Sequence, residues 1–490
     1  MQSAVESTNQ PVESLRSQVR SAVIWRSGTQ IVGQIVTWGA TFLVIRILEP
    51  ADYGLFAMTQ VILAALNMLN GYGLASAIIQ KPDVTQRELR QLFGLLLALN
   101  IALGLGQVLL APVAAGYFRQ PMVADLLRVQ ALLYIATPFI AFPYALLARK
   151  MDFRKQAQAN LVSATLGALA SLACAFAGWG VWTLIAAPMV LFWSRAVLMT
   201  WGARSLMWPS FDFRGAGEVM RFGGLMAAAQ LFWFVQSQAD IFIAGRSLPA
   251  HTLGIYTTAL FLTQIFVAKF LPTLNEVAFS AYARIQDDAP AMGRAFARAA
   301  RIIMVVAMPF YVGLAVTAQP LVATVLGPKW QEAAPLVAIL AAAMPFMTMQ
   351  AMFAPASDAR GKPGLAATNG AIGAVILPIA FLAGLQWSVT GLATAWIVAW
   401  PLFLAITAWR SFVVVGIDAA GFARAVAPPV IAALAMGAAV LALDSALPAL
   451  DALPRLALLV AAGGAVYLAW LLAFARSTLD ELIAFARNRG

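Results

Sequence analysis

A chain of 490 residues that is 62% hydrophobic and only 11% charged carries too much apolar surface for a soluble fold, and its composition is that of a polytopic membrane protein. The net charge of +11 would suit nucleic acid in a soluble protein; in a membrane protein Lys and Arg collect on cytoplasmic loops instead, and their placement here follows that rule. The single cysteine, Cys174, lies in an apolar run, which excludes a disulfide within the chain and argues against a thiolate metal site.

Residues 1–22 form a polar N-terminal segment, and the first apolar run is too long and starts too late, near Val23, for a cleaved signal peptide. At about 20 residues per span, about fourteen helices are predicted, over 23–48, 53–79, 91–118, 122–148, 157–177, 179–201, 220–245, 252–277, 298–326, 332–354, 363–384, 388–409, 422–444 and 453–475. The stretch RILEPADYGLF, Arg46 to Phe56, closes the first apolar run and opens the second. Pro50 lacks an amide hydrogen, and Asp52 is expected to cap the following helix.

That stretch has an echo. Arg246, Leu248 and Gly254 repeat Arg46, Leu48 and Gly54 at an offset of 200, with Tyr256 in place of Phe56. Gln30 matches Gln230 and Thr37 matches Ser237; the offset then drifts to 207–209, where Pro138-Phe139 matches Pro345-Phe346 and Asn160 matches Asn369. The expected architecture is therefore all-α, with two pseudo-repeated six-helix lobes at 23–201 and 220–409. A cytoplasmic loop at 202–219 joins them, and two further helices follow within 410–475. An even number of helices per lobe relates the lobes by an axis along the membrane normal. The tail at 476–490 reads as a surface amphipathic helix, with Thr478 and Glu481 at capping-box spacing.

With the N-terminus in the cytoplasm, about 24 Lys and Arg fall on inside segments, against about 6 outside (Arg46, Arg119, Arg128, Arg246, Lys329 and Arg455). Both termini are then cytoplasmic. The sole histidine, His251, reads as a loop residue, and Trp179 and Trp182 as interfacial belt residues.

Four stretches together carry a family likeness: RILEPADYGLF, then ALLARKMDFRKQA at 145–157, QADIFIAGRSLPAHTLGIY at 238–256 and VLGPKW at 325–330. In order and spacing, through most of the first twelve helices, they resemble the polysaccharide-transporter (Wzx-like) branch of the MOP flippase superfamily. Glu49 stands where the family usually has Gly, and Ser280 where it often has Pro. Glu49 thus puts a carboxylate at the outer mouth. The resemblance implies a flippase of the bacterial inner membrane. It would move undecaprenyl-pyrophosphate-linked oligosaccharide units to the outer leaflet by alternating access, for exopolysaccharide or lipopolysaccharide synthesis. Polymerase and glycosyltransferases of the same pathway would be its partners.

Such a task needs no enzyme chemistry and no cofactor. It needs a wet cavity with hydrogen bonds for sugars and positive charge for the pyrophosphate, and charges inside a span, costing roughly 2.5–3.5 kcal/mol, usually face such a cavity. Lys269, within the apolar run IFVAKFLPTL, is the clearest candidate, with snorkelling to the interface as the competing account. Arg195 in the sixth helix is similar but lies nearer its cytoplasmic end. Arg26, Gln30, Gln34, Thr37 and Thr41 form a polar stripe on the first helix; Gln230, Ser237 and Asp240 lie on its repeat partner. Helix–helix hydrogen bonding is the alternative use of such faces. Asp240 either pairs with Arg246 or carries a proton, and Asn67 and Asn70 are candidate sugar contacts. Arg46, Asp52, Gly54, Arg246 and Gly254 mark a gate where the halves would rock at the outer mouth.

Three other classes remain open. A drug/cation antiporter of the same superfamily needs a buried acidic site, and intramembrane carboxylates are few. A lipid II flippase would share mechanism and carrier. A membrane polymerase or ligase would present acid and base residues on a sizeable outer loop, which this chain lacks. No phosphate-binding Gly-Lys motif, metal cluster or triad spacing is present.

Overall fold

The computed structural model describes residues 32–69, 84–212, 217–448 and 450–476, with the backbone alone over 217–229. The described residues are helices and short connections, without strands. In chain order the helices are α1 Val32–Ile47, α2 Pro50–Asn67, α3 Gln86–Phe118, α4 Met122–Arg149, α5 Phe153–Phe176, α6 Trp182–Ala203 and α7 Gly217–Ser247. They continue with α8 Ala250–Ala283, α9 Ala289–Val316, α10 Ala333–Ala359, α11 Pro363–Leu385, α12 Ser388–Val415, α13 Ala419–Ala446 and α14 Ala452–Phe474. A short helix, Ala318–Val325, follows α9.

Eleven of these helices are long and apolar enough to cross a membrane, fewer than the fourteen expected. The other three are α1, α2 and α7. α1 begins at the edge of the described residues, and α2 ends near one. α7 is long, but Gln230, Gln236, Gln238 and Asp240 dilute its apolar character.

Local chemistry sets the boundaries. Asp152, Asp288 and Asp418 cap α5, α9 and α13 by accepting from the amides of Lys155, Ala291 and Gly421. These caps start α5 four residues and α9 nine residues before the expected positions. The break between α5 and α6 falls where expected, at Gly178 and Gly180, which both adopt positive φ. Proline explains the interruption of α8: Pro272 offers no amide to the preceding turn, and the chain bends at Phe270. His251 lies in the first turn of α8, not in a loop.

Two compact units emerge. The first contains the described residues up to Val44, those of Leu69–Ala111, and Asp125–Gly223. Phe93, Leu96 and Phe142 pack α3 against α4 in it, while Leu147, Ala159 and Met199 join α4, α5 and α6. The segment after α6 is strapped to α3, with Arg90 Nε donating to Trp208 O at 2.9 Å and the Ser210 amide to Arg90 O at 2.9 Å.

The second unit contains Ile45–Met68, Pro112–Ala124 and the described residues from Gly224 onward. Its largest buried side chains include Trp330, Tyr256, Tyr311, Phe353 and Phe403. α14 joins it through Tyr467, whose hydroxyl donates to Val305 O at 2.8 Å, and through a two-pronged Arg455–Asp444 pair at 2.7 and 2.8 Å.

Candidate functional site

In the first unit, α1, α4, α5 and α6 enclose a polar cavity of about 390 Å³. Its polar lining is Gln34 and Thr37 from α1, Tyr144 from α4, Gln156 and Asn160 from α5, and Arg195 from α6. Arg195 is half-buried, and its Nε donates to Ser163 Oγ at 3.3 Å, which holds the guanidinium at the wall. Gln156 is buried and donates to Tyr144 O at 2.9 Å. Thr37 turns its hydroxyl back onto Gly33 O at 2.8 Å. One guanidinium among carboxamides and a phenol is a donor-rich set: it can hold a phosphate oxygen through charge and sugar hydroxyls through hydrogen bonds.

Of the residues singled out by sequence, Gln34, Thr37 and Arg195 meet in this cavity. Arg26, Gln30 and Asn70 lie outside the described residues, as does the expected tail helix. Gln230 and Asn67 are exposed and belong to the second unit. Lys269, in the same unit, is also exposed and closes the first segment of α8, where the free carbonyls of a helix end attract a cation. Gln156 and Tyr144 were missed. Gln156 sits in what reads as a basic loop, and only the Asp152 cap, which starts α5 early, carries it into a helix.

The second unit holds the repeated motif. α2 begins at Pro50, in the first helical position, so the turn is shorter than expected. The cap itself is Glu49, and Asp52 reciprocates from the third position by accepting the Glu49 amide at 3.1 Å. α2 and α8 cross at the two repeat glycines. A Cβ on Gly54 would lie 1.9 Å from Ala250 O, and one on Gly254 would lie 1.7 Å from Pro50 O. The contact is reciprocal, since each glycine meets the residue equivalent to the other's partner.

The repeat arginines reciprocate in the same way. Arg46 Nη1 donates to Thr324 O at 3.1 Å, and Arg246 Nη1 donates to Tyr117 O at 3.4 Å, with its guanidinium 5.0 Å from the Tyr117 ring centre. Tyr117 and Thr324 are themselves equivalent under the drifted offset of 207. Two further contacts make one side tighter: Trp330 Nε1 donates to Ile45 O at 2.8 Å, and Lys329 pairs with Glu49 at 2.6 Å.

Asp240 does not pair with Arg246. Six residues of helix put the two about 120° apart around α7, and each side chain finds another partner. Asp240 is buried and accepts the Tyr256 hydroxyl at 2.7 Å, and that hydroxyl in turn accepts Trp396 Nε1 at 2.9 Å. The chain of bonds ties α7, α8 and α12 together. The second unit also has an apolar groove of about 300 Å³, lined by Phe310, Leu314, Met436, Val440, Val460 and Tyr467 from α9, α13 and α14. No group of His, Cys, Asp and Glu suited to a metal ion occurs among the described residues.

Comparison with known proteins points in one direction. Residues 43–335, more than half of the chain, match the family model described as polysaccharide biosynthesis protein. The succinoglycan biosynthesis transport protein ExoT of Rhizobium meliloti (strain 1021) is 27% identical over 67% of either chain. The teichuronic acid biosynthesis protein TuaB of Bacillus subtilis (strain 168) is 25% identical over 85% of this chain and 87% of its own. Among solved structures, the lipid II flippase MurJ in an inward closed conformation superposes with a TM-score of 0.76 at 12% identity, covering 93% of this chain and all of its own. That likeness establishes a shared fold.

Proposed function

The chain belongs to the polysaccharide biosynthesis protein family, and from that premise we propose that it is a flippase for undecaprenyl-pyrophosphate-linked oligosaccharide units. Its relatives are named for the biosynthesis of succinoglycan and teichuronic acid, and ExoT for transport. The protein is multi-pass. We place it in the bacterial inner membrane with both termini cytoplasmic, on the strength of the Lys and Arg asymmetry. It works by alternating access, and it supplies no enzyme chemistry.

The observation that carries the reading is the cavity around Arg195. An amphipathic substrate can leave its hydrocarbon tail among lipids, but its head group needs water, donors and positive charge. In the first unit those groups come together around one space: Gln34, Gln156, Asn160 and Arg195. The reading assigns the anionic part of the head group to Arg195 and sugar hydroxyls to the carboxamides. Lys269 serves as a second cation, and the apolar groove beside Phe310 and Tyr467 suits a tail. The reciprocal contacts at Gly54, Gly254, Arg46 and Arg246 act as the gate. A phosphate oxygen 4–5 Å from the guanidinium gains roughly 3–4 kcal/mol at an effective dielectric near 20, before desolvation.

Arg195→Ala should therefore lower polysaccharide export about tenfold or more while the protein stays abundant in the membrane, and Arg195→Lys should retain part of the activity. Lys269→Ala should cost less, and Lys150→Ala, a loop control, should cost little. Near-normal export by a stably inserted Arg195→Ala protein would remove the cavity from the transport path.

A further inference from the structure

The outward side of α6 carries an apolar stripe that ends in a cation. Val190, Trp193, Val197 and Trp201 recur at spacings of three and four, so they share one side of the helix. Trp201 is 80% and Val197 65% exposed. α6 is long and apolar enough to cross a membrane, and an exposed apolar side on such a helix is suited to lipid. Trp193, Val197 and Trp201 of the stripe also line a groove of about 560 Å³, together with Phe139, Arg204 and Leu206. Thr200, also in the wall, gives its hydroxyl hydrogen to Phe139 O at 3.1 Å, and the guanidinium of Arg204 is the charged group in the lining.

Arg204 is the unusual residue here. It caps α6 in the left-handed region, with φ 49°, where glycine is the ordinary choice and an L side chain is strained. Neighbouring basic residues are engaged: Arg87 with Asp212 at 2.8 Å, Arg90 with Trp208 O, and Lys155 with Asp152 at 3.0 Å. Arg204 is exposed and makes no ion pair and no side-chain hydrogen bond among the described residues. The following segment, fixed by its bonds to Arg90, leaves Leu206 and Trp208 more than four-fifths exposed at the same end, as residues at the edge of a bilayer are.

We propose that this groove binds one anionic phospholipid, its phosphate on Arg204 and an acyl chain along Trp201, Val197 and Trp193. A guanidinium matches a phosphodiester in charge and in donor geometry. A zwitterionic head group would bring an ammonium as well, and the nearby carboxylates, Asp152 and Asp212, are already paired. The inference rests on α6 crossing the membrane and is independent of which substrate the protein moves.

The test uses the purified full chain in bilayer discs of equal phosphatidylglycerol and phosphatidylcholine, released into mild detergent for native mass spectrometry. The wild-type protein should keep one phosphatidylglycerol in preference to phosphatidylcholine. Arg204→Gly, which suits the backbone, should reduce that adduct about fivefold, the worth of one basic side chain at an anionic lipid surface. Arg204→Lys should keep it. Equal retention of the two lipids by the wild type, or an undiminished adduct in Arg204→Gly, would overturn the proposal. Displacement of the lipid by equimolar polyprenyl phosphate would do so too, by assigning the groove to the substrate's carrier. If Arg204→Gly cannot be recovered folded, the wild-type preference between the two lipids decides alone.

Discussion

The fifth and sixth helices of the two halves are repeats of one another, yet they use their polar residues in opposite ways. In the first half, Asn160 is exposed and lines a cavity with Gln34, Gln156 and Arg195. In the second half its equivalent, Asn369, is buried: Arg410 Nε donates to its Oδ1 at 2.8 Å, and its Nδ2 lies 3.4 Å from Ser411 Oγ. The second half adds the bonded series Trp396, Tyr256 and Asp240. One half buries this polar residue among partners of its own, while the other places it on the wall of a space. What the halves retain in common is backbone geometry, the reciprocal glycine crossing and the reciprocal arginine bonds.

The largest expected effect comes from breaking that common geometry. Because Gly54 and Gly254 face equivalent carbonyls at 1.9 and 1.7 Å from a built Cβ, Gly54→Val and Gly254→Val should be about equally damaging. Neither carbonyl is a flexible side-chain end, so α2 and α8 must move apart, and overpacking of this kind costs about 1–3 kcal/mol or more. Lower membrane abundance and loss of export are expected from both. A severe defect from one and a mild defect from the other would show that the crossing is reciprocal in shape but not in consequence.

A smaller effect separates the two interiors. Asp240→Ala strips the Tyr256 hydroxyl of its acceptor in a buried site, at about 1–3 kcal/mol. Arg195→Ala removes a half-buried side chain beside an open cavity and should cost clearly less stability while costing more transport. Thermal aggregation midpoints in detergent, set beside export, check this crossing of effects. If Arg195→Ala destabilised the protein as much as Asp240→Ala, the cavity would be part of the scaffold and the contrast between the halves would collapse.

Much of this was legible in the sequence, and the failures have physical causes. The duplication and the reciprocal placing of Gly54 with Gly254 and of Arg46 with Arg246 follow from residues that recur at fixed offsets. Gln34 and Arg195 were legible because a polar side chain in an apolar run must find water, a ligand or a partner. Gln156 was not, since nothing in MDFRKQA distinguishes a basic loop from a capped helix until Asp152 is seen to accept the Lys155 amide. Asp240 and Arg246 are close in sequence but lie on different sides of α7, so their proximity misled. Lys269 looks embedded in its apolar run because Pro272 is silent about where it bends the helix; in the fold, that bend puts the ammonium at a helix end.

The smallest expected effect concerns the one place where the common geometry is unequal. Lys329 pairs with Glu49 at 2.6 Å and also donates to Ile47 O at 3.1 Å. Under the repeat their equivalents are Met122 and Pro249, which cannot form an ion pair. The side chains of Lys329 and Glu49 are 43% and 63% exposed, and ion pairs in such settings are worth about 0–1 kcal/mol and weaken with salt. Glu49→Gln keeps an oxygen for the helix cap, so the substitution removes charge and little else. A cysteine at Ala57, buried in α2, offers a probe once Cys174 is replaced by Ala: an impermeant maleimide applied from outside reaches it only when the crossing loosens. Glu49→Gln should speed that labelling by at most about fivefold at low salt, the factor equivalent to 1 kcal/mol, and the difference should fade in high salt. A much larger acceleration would make the ion pair the principal lock and the glycine crossing secondary. No acceleration at any salt would leave the closure to shape alone, with the two halves equal in holding it.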